Sequence, residues 1–410
     1  KMKKNVSLGI VLLAILFMAI TFTPVQSRSS QSQQEEEATE VSTSSDGYTL
    51  FAPLKGTKAY LVDMDGDIYH EWSLSGKLGN TVYLLENKTL LATYKFSGGH
   101  FGGKGVSGGG IEILDWDGNQ LWSYELSNTK HHIHHDIEYL PNGNILAVVF
   151  ESISESEALS AGVEGSSVTP YGEIWSEAIF EIDPDTDSIV WEWHAWDHIL
   201  PEGYSAKNYP QLIDPNYPAT RRKADWLHFN AIDYNEALDQ IMVSSRNLSE
   251  ILVIDHDTTT AEAVGSAGDL LYRWGNPASY GESGNRYLYG QHDAEWINPD
   301  SASSNILLFN NGNKKQRDYS TVLEIDPKSY SYGNASIVWE YGDDGDEESF
   351  FSDKLSGSQR LDNGNTLICS GVKGRVFEIN PAGEIVWEYT DSQGAVFRAD
   401  RYTFDYPGLN

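Results

Sequence analysis

One pattern recurs along the chain and restricts its fold more than any other feature. An acidic or polar turn is followed by a short strand that carries a tryptophan. Asp63-Met64-Asp65-Gly66-Asp67 leads to Trp72, Asp115-Trp116-Asp117-Gly118-Asn119 to Trp122, and Asp183-Pro184-Asp185-Thr186-Asp187 to Trp191 and Trp193. Asp255-His256-Asp257 leads, after an insertion, to Trp274. Asp326-Pro327 leads to Trp339, and Asn380-Pro381-Ala382-Gly383 to Trp387. Self-similarity of this kind marks solenoids, propellers and arrays.

A second motif lies between successive copies, a turn ahead of an apolar strand. Pro141-Asn142-Gly143-Asn144 precedes Ile145, and Asp362-Asn363-Gly364-Asn365 precedes Thr366. Asn-Gly supplies the positive φ angles of a two-residue hairpin turn. Each repeat then reads as strand, hairpin, strand, strand, acidic hairpin, strand. Six such units describe an all-β, six-bladed β-propeller, with the tryptophans on outer strands between blades. The 37 Gly, 12 Trp, 23 Tyr and 14 Phe suit strands and tight turns. The last blade is expected to close from both ends of the chain. Residues 395–402 would form its innermost strand and Gly47-Tyr48-Thr49-Leu50-Phe51 would add a strand, leaving few free sheet edges.

Ahead of Gly47 the character differs. Lys1 to Lys4 is basic and Val6 to Thr23 is nearly all apolar, so residues 1–27 read as a signal peptide or an uncleaved N-terminal membrane anchor. Residues 28–46 are Ser/Gln/Glu-rich and read as a disordered linker. The propeller is assigned to 47–410, and either fate of the leader places it outside the cytoplasm: secreted, periplasmic or anchored at the outer face of the membrane. The net charge of −32 repels nucleic acid and anionic lipid surfaces. A single cysteine, Cys369, excludes an intramolecular disulfide and sits in a core-like apolar run.

Against that negative field, an inward cluster of histidine and arginine stands out. His135, His228 and His292 each fall at the entrance of a strand expected to line the central channel, and Arg398 falls in the last such strand. Asn230 lies two residues after His228, on the same side of a strand of period two. Arg246 follows the next strand. Together they suit a compact oxyanion, because arginine offers paired planar donors and neutral imidazole acts as nucleophile, base or donor. Three histidines also suit zinc or copper with an open position, but Arg246 nearby would repel a divalent cation. His131, His132 and His134 read as a polar loop.

The motifs His135-Asp136, Leu140-Pro141-Asn142-Gly143-Asn144, Trp226-Leu227-His228-Phe229-Asn230, Val243-Ser244-Ser245-Arg246-Asn247 and Gln291-His292-Asp293-Ala294 resemble the bacterial and archaeal arylsulfate sulfotransferases, from about Gly47 to Leu409. The resemblance implies a six-bladed propeller that moves a sulfuryl group from a phenolic sulfate ester to a phenol. No nucleotide donor and no cofactor or metal takes part, and the route is ping-pong through a sulfated histidine. It makes His292 the nucleophile. His228, Asn230 and Arg246 would hold the sulfuryl oxygens, His135 would complete the cradle, and Arg398 would assist in substrate binding. Asp293 is a candidate to orient the His292 ring, although strand alternation points it to the other face. Longer members carry an N-terminal β-sandwich that contributes to dimer formation. This chain has only a tail before Gly47, which leaves monomer and homodimer both open.

The loops 151–169 and 195–225 would shape the rim, with Trp196, Tyr204, Tyr209 and Tyr217 available to stack on a phenol ring. Two other readings remain: a non-catalytic propeller that holds an anionic ligand or a protein partner, and a histidine-metal hydrolase or lyase.

Overall fold

The computed structural model describes residues 43–96, 100–101, 107–218, 224–328, 331–342 and 350–410. The leader and most of the linker, residues 1–42, lie outside these, as does most of the glycine-rich stretch after His100. Thr43 and Ser45 belong to the propeller rather than to a linker: Asn365 Nδ2 donates to Thr43 O at 3.0 Å and Ser45 N donates to Glu378 Oε1 at 2.6 Å.

Six four-stranded antiparallel sheets form. Five run inner to outer in chain order. They are β4 to β7 (Leu78–Leu84, Leu90–Lys95, Gly109–Leu114, Gln120–Glu125), β8 to β11 (His131–Tyr139, Ile145–Ser154, Glu173–Asp183, Ser188–His194) and β12 to β15 (Phe229–Asn235, Gln240–Ser245, Glu250–Asp255, Tyr272–Trp274). Then follow β16 to β19 (His292–Trp296, Ile306–Asn310, Thr321–Asp326, Ser336–Tyr341) and β20 to β23 (Gly357–Arg360, Thr366–Ser370, Arg375–Ile379, Ile385–Thr390). The remaining sheet takes β1 to β3 (Gly47–Pro53, Lys58–Val62, Ile68–Ser73) from the start of the chain and its innermost strand β24 (Val396–Thr403) from the end. The chain start therefore supplies three strands of this blade, where the sequence suggested one. Thr49 pairs with Arg401 and Phe51 with Ala399. The inner strands touch in turn, β4 to β8, β12, β16, β20, β24 and back to β4, which closes the ring.

The recurring tryptophan explains how blades lock. Trp72 Nε1 donates to Asp115 O (3.1 Å), Trp122 Nε1 to Asp187 Oδ1 (2.8 Å), Trp191 Nε1 to Thr258 Oγ1 (3.3 Å) and Trp387 Nε1 to Met64 O (2.8 Å). In each case the acceptor sits in the acidic turn of the next blade round the ring. Burial dominates the energy where the ring is covered. Removing about 200 Å² of indole from water contributes about 5 kcal/mol as an upper figure, against about 1 kcal/mol net for the hydrogen bond. Middle strands such as β9 are buried on both faces, which is why Ile145 to Phe150 reads as an unbroken apolar run with one blade on each side.

The hairpin turns depart from the expected geometry. At 140–144 Gly143 N donates to Leu140 O and Leu140 N to Asn144 O, and Gly143 alone has a positive φ, 89°. The same pattern holds at Leu361–Asn365 with Gly364 at 84° and at Asp63–Asp67 with Gly66 at 86°. These are turns ending in one left-handed glycine, not two-residue turns that need two positive φ angles. The glycine is demanded, the preceding Asn is not.

Candidate active site

Three inner strands are broken at their entrances in the same way. The register of β8 against β9 shifts between Ile133 and Ile137, that of β12 against β13 between Phe229 and Ile232, and that of β16 against β17 between His292 and Glu295. Each has one residue at a positive φ in or directly before the break: His135 at 55° and Asp293 at 54° lie within it, and His228 at 54° lies just ahead of it. A bulge of this kind re-aims the side chain beside it, and non-glycine residues held there mark functional positions. β4 shifts likewise between Leu78 and Val82, beside Asn80.

The bulges open onto a cavity of about 830 Å³ lined by His135, His228, Arg246 and His292, with Asn80 and Asp225 alongside. Its apolar wall is Phe150, Trp175, Tyr171, Phe397, Leu54 and Leu355, and Lys95 and Lys354 add positive charge. The expected stacking aromatics are elsewhere. Trp196 packs edge-on against Trp226, Tyr204 against Tyr209, and the Tyr217 hydroxyl accepts from Asn276. Among the described residues, the cavity lining near the two long loops is Pro170 and Tyr171, just after the first, and Ala224 and Asp225 at the end of the second.

His292 is 3 % exposed and its ring is fixed from behind. Its Nδ1 lies 2.8 Å from Asn311 Oδ1 and 3.1 Å from Gly290 O. Asn311 Nδ2 donates to Ser352 O and to Leu355 O, each at 2.8 Å, so the amide oxygen is the atom turned to the ring. Two acceptors require the proton on Nδ1, which leaves the lone pair on Nε2 beside the Leu355 amide at 3.3 Å. Burial, with the Arg246 charge adding to it, pushes the His292 pKa down to about 3. The ring is therefore neutral at any physiological pH. Asn311 has no sequence signature of its own; it directly follows an apolar strand of ordinary appearance.

His228 Nδ1 is held by Asp225 Oδ2 at 2.6 Å. His135 Nδ1 lies 2.6 Å from His134 Nδ1, and His134 Nε2 lies 2.8 Å from Glu177 Oε2. Burial holds His134 and His135 well below the usual imidazole range, with neighbouring positive groups adding to it. The stretch 131–134 is thus not a polar loop but part of β8, with His132 and His134 buried. His134 stacks on Phe150 at 3.6 Å.

Arg246 makes no side-chain hydrogen bond or ion pair among the described residues, yet it faces His135 and His292 closely enough to depress both. A guanidinium with no carboxylate partner among the described residues, in a chain of charge −32, is suited to pair with an anion.

Two residues expected to bind substrate do not line the cavity. Asn230 is fully buried, and its Nδ2 donates to Gln291 O at 2.8 Å, tying β12 to the residue before His292. The bulge between Phe229 and Ile232 cancels the period-two argument that placed it on the same side as His228. Arg398 is held behind the floor: Nη2 donates to Asp136 Oδ2 at 2.9 Å, Nε lies 2.5 Å from Asp293 Oδ1, and Nη1 donates to the Tyr83 hydroxyl. Asp293 therefore points to Arg398 and to Ser358 N (2.8 Å), not to the His292 ring. Each His-Asp pair divides its work, with the imidazole in the cavity and the carboxylate on Arg398.

Among the described residues no group of three or more His, Cys, Asp or Glu side chains is arranged to hold a metal ion. A comparison with curated proteins returns no match. Among solved structures, a protein of unknown function from Bacteroides caccae superposes with TM-score 0.52 at 14 % identity, covering 87 % of this chain and 99 % of that one. Virginiamycin B lyase from Staphylococcus aureus superposes with TM-score 0.44 at 12 % identity, covering 86 % of this chain and 83 % of that one. At such identity the first likeness concerns the fold alone. The family model described as Arylsulfotransferase (ASST) matches residues 33–401, every blade of the ring included, and supports arylsulfotransferase activity in general. The chain belongs to the arylsulfotransferase family.

Proposed function

We propose that this protein transfers a sulfuryl group from an aryl sulfate to a phenol through a sulfated His292, without a nucleotide donor. The observation that carries the reading is the pairing of a neutral, Nδ1-protonated His292 with the unpaired guanidinium of Arg246 in one aromatic-walled cavity. His292 Nε2 attacks sulfur in line with the departing phenolic oxygen, and the aryl ring rests against Trp175, Phe150 and Phe397. Arg246 meets the equatorial sulfuryl oxygens, where charge gathers in the transition state. His228, its Nδ1 proton fixed by Asp225, turns Nε2 to the same group. The second phenol reverses the path and restores the free imidazole.

A chromogenic aryl sulfate with an added phenol tests this, with and without chelator. Turnover that requires phenol and ignores chelator, together with a sulfated His292 trapped in the absence of acceptor, is the expected result. Full activity of His292→Asn would show that the carrier is another residue, and loss with chelator would favour a metal enzyme. We also propose that the propeller works outside the cytoplasm, on the strength of the basic and apolar start of the chain; fractionation of cells for the chromogenic activity checks it.

A further inference from the structure

We propose that Glu177, His134 and His135 form a proton relay that gives a proton to the phenol leaving the donor and recovers it from the phenol that accepts. The proposal rests on the aryl sulfate reading above and assigns its acid and base.

The geometry is an unbroken line of contacts. Phe229 N donates to Glu177 Oε1 at 2.9 Å, which leaves Oε2 turned to His134 Nε2 at 2.8 Å. His134 Nδ1 meets His135 Nδ1 at 2.6 Å, and His135, whose Nε2 makes no hydrogen bond among the described residues, lines the cavity. Two imidazole nitrogens at hydrogen-bond distance share one proton, so the tautomers of the two rings are coupled. With the proton on Glu177 Oε2, His134 carries its own on Nδ1 and His135 is left to carry its own on Nε2, aimed at substrate. With Glu177 ionised, each proton sits one place back and His135 Nε2 is a lone pair. Neither arrangement contains an imidazolium. That suits the surroundings: His228, His292, Arg246 and His132 all disfavour positive charge here, while burial and the nearby Asp225 hold the Glu177 carboxyl well above the usual range.

The resting enzyme is therefore the donor form. In the first half-reaction the His292 Nε2 pair bonds sulfur and the sulfur–oxygen bond to the aryl group breaks, its pair staying on oxygen. That oxygen takes the His135 Nε2 proton, His135 Nδ1 takes the His134 Nδ1 proton, and His134 Nε2 takes the Glu177 proton. The negative charge that arrived on the sulfate ester ends on Glu177. In the second half-reaction the acceptor oxygen bonds sulfur, the nitrogen–sulfur pair returns to His292, and the phenolic proton runs back along the line. His135 is the catalytic residue; His134 and Glu177 act through it.

The test is Glu177→Gln, whose amide keeps the hydrogen bonds to Phe229 N and His134 but has no proton to pass. Enzyme sulfation is timed with aryl sulfates of graded leaving-phenol acidity. With para-nitrophenyl sulfate, whose phenolate leaves unaided, the rate stays within a few-fold of the parent and certifies the fold. With phenyl sulfate it falls about 10²-fold, a typical general-acid contribution. The dependence on phenol acidity therefore becomes steep. An equal loss with every donor, or an unchanged slope, overturns the relay. If the variant does not fold, a proton inventory of the parent enzyme with phenyl sulfate in mixed light and heavy water decides. A curved plot reports several protons in flight, and a straight one overturns the relay. Absence of any aryl sulfate turnover in the parent enzyme is the failure of the underlying reading and is seen before either measurement.

Discussion

Arg246 lines the cavity, Arg398 directly follows the cavity residue Phe397, and the two arginines do opposite things. Arg246 faces three imidazoles, carries no carboxylate partner among the described residues and lines the cavity. Arg398 is surrounded by Asp136, Asp293 and Tyr83 and is closed off from it. The difference teaches how a strongly acidic propeller keeps an anion site. The carboxylates nearest the floor are spent on one buried arginine, and the other arginine is left for the ligand. Asp136 also accepts from Ile137 N at 3.0 Å and Ile232 N at 3.1 Å, so the saturated layer joins β8, β12, β16 and β24 into the platform that the imidazoles stand on.

The first way to break this comparison is to remove chemistry from the upper layer alone. His292→Asn is expected to lower transfer by about 10⁴-fold or more, as loss of a nucleophile does. Its melting temperature should stay near that of the parent, since the ring contributes no ion pair. A variant that melts many degrees lower would show that the upper layer is also structural.

Exchanging the two arginines in turn sharpens it. Arg246→Met is expected to cost about 10²- to 10³-fold in turnover, the usual loss of one charged transition-state partner, with stability intact. Arg398→Met should lose about 3–5 kcal/mol of stability, because Asp136 and Asp293 are left buried without their counter-charge. Urea unfolding and the chromogenic assay on both variants check it. Similar losses of stability in the two would erase the distinction.

Asn311→Ala probes how the upper layer is oriented. Without the amide oxygen, Gly290 O at 3.1 Å and the Leu355 amide, which donates to Nε2 at 3.3 Å, are left to select the Nδ1 proton. Turnover should fall about 10-fold to 10²-fold, the range seen when the partner that orients a histidine is lost. The fall should be in the rate of enzyme sulfation rather than in donor binding, which single-turnover kinetics separates.

How much of this was legible in the sequence follows from the physics of each part. The six blades were legible because the acidic turn and the tryptophan answer a local demand that recurs round the ring, seen as a tryptophan bond to the next blade at Trp72, Trp122, Trp191 and Trp387. His135, His228 and His292 were legible because they occupy equivalent positions of the repeat. Asn230 was misplaced because a bulge shifts the two-residue alternation on which its assignment relied, and Arg398 because a place in the innermost strand of the last blade does not decide which way the side chain turns: its guanidinium pairs with Asp136 and Asp293. Asn311, Glu177 and His134 were not singled out because they act through another ring: Glu177 lies inside a buried strand, Asn311 directly follows one, and His134 reads as one of several polar residues before His135. The cavity wall escaped for a similar reason. Phe150 reaches it from the middle of β9 and Trp175 from near the start of β10, while the four loop aromatics expected to stack are engaged elsewhere.

The smallest expected effect concerns pH, where the two layers pull in opposite directions. His292 has its pKa lowered from 6.5 to about 3 by burial, so the unfolded chain binds the extra proton between those values. Its contribution to stability is complete above pH 6.5 and is lost as pH falls towards 3. The channel carboxylates behave in reverse. Burial raises Asp400 from 3.8 to about 7 and Asp233 to about 7, with the Arg398 charge opposing the shift on both. The folded state then binds the extra protons, and the contribution is complete below pH 3.8 and is lost as pH rises towards 7. Replacing Asp400 by Asn removes one member of the second set and leaves the first. The stability difference between Asp400→Asn and the parent, followed by urea unfolding from pH 4 to pH 8, should shift in favour of the variant as pH rises. A difference that does not vary with pH would mean that Asp400 is ionised behind the floor throughout, and that the arginine layer compensates more carboxylate than its two direct partners.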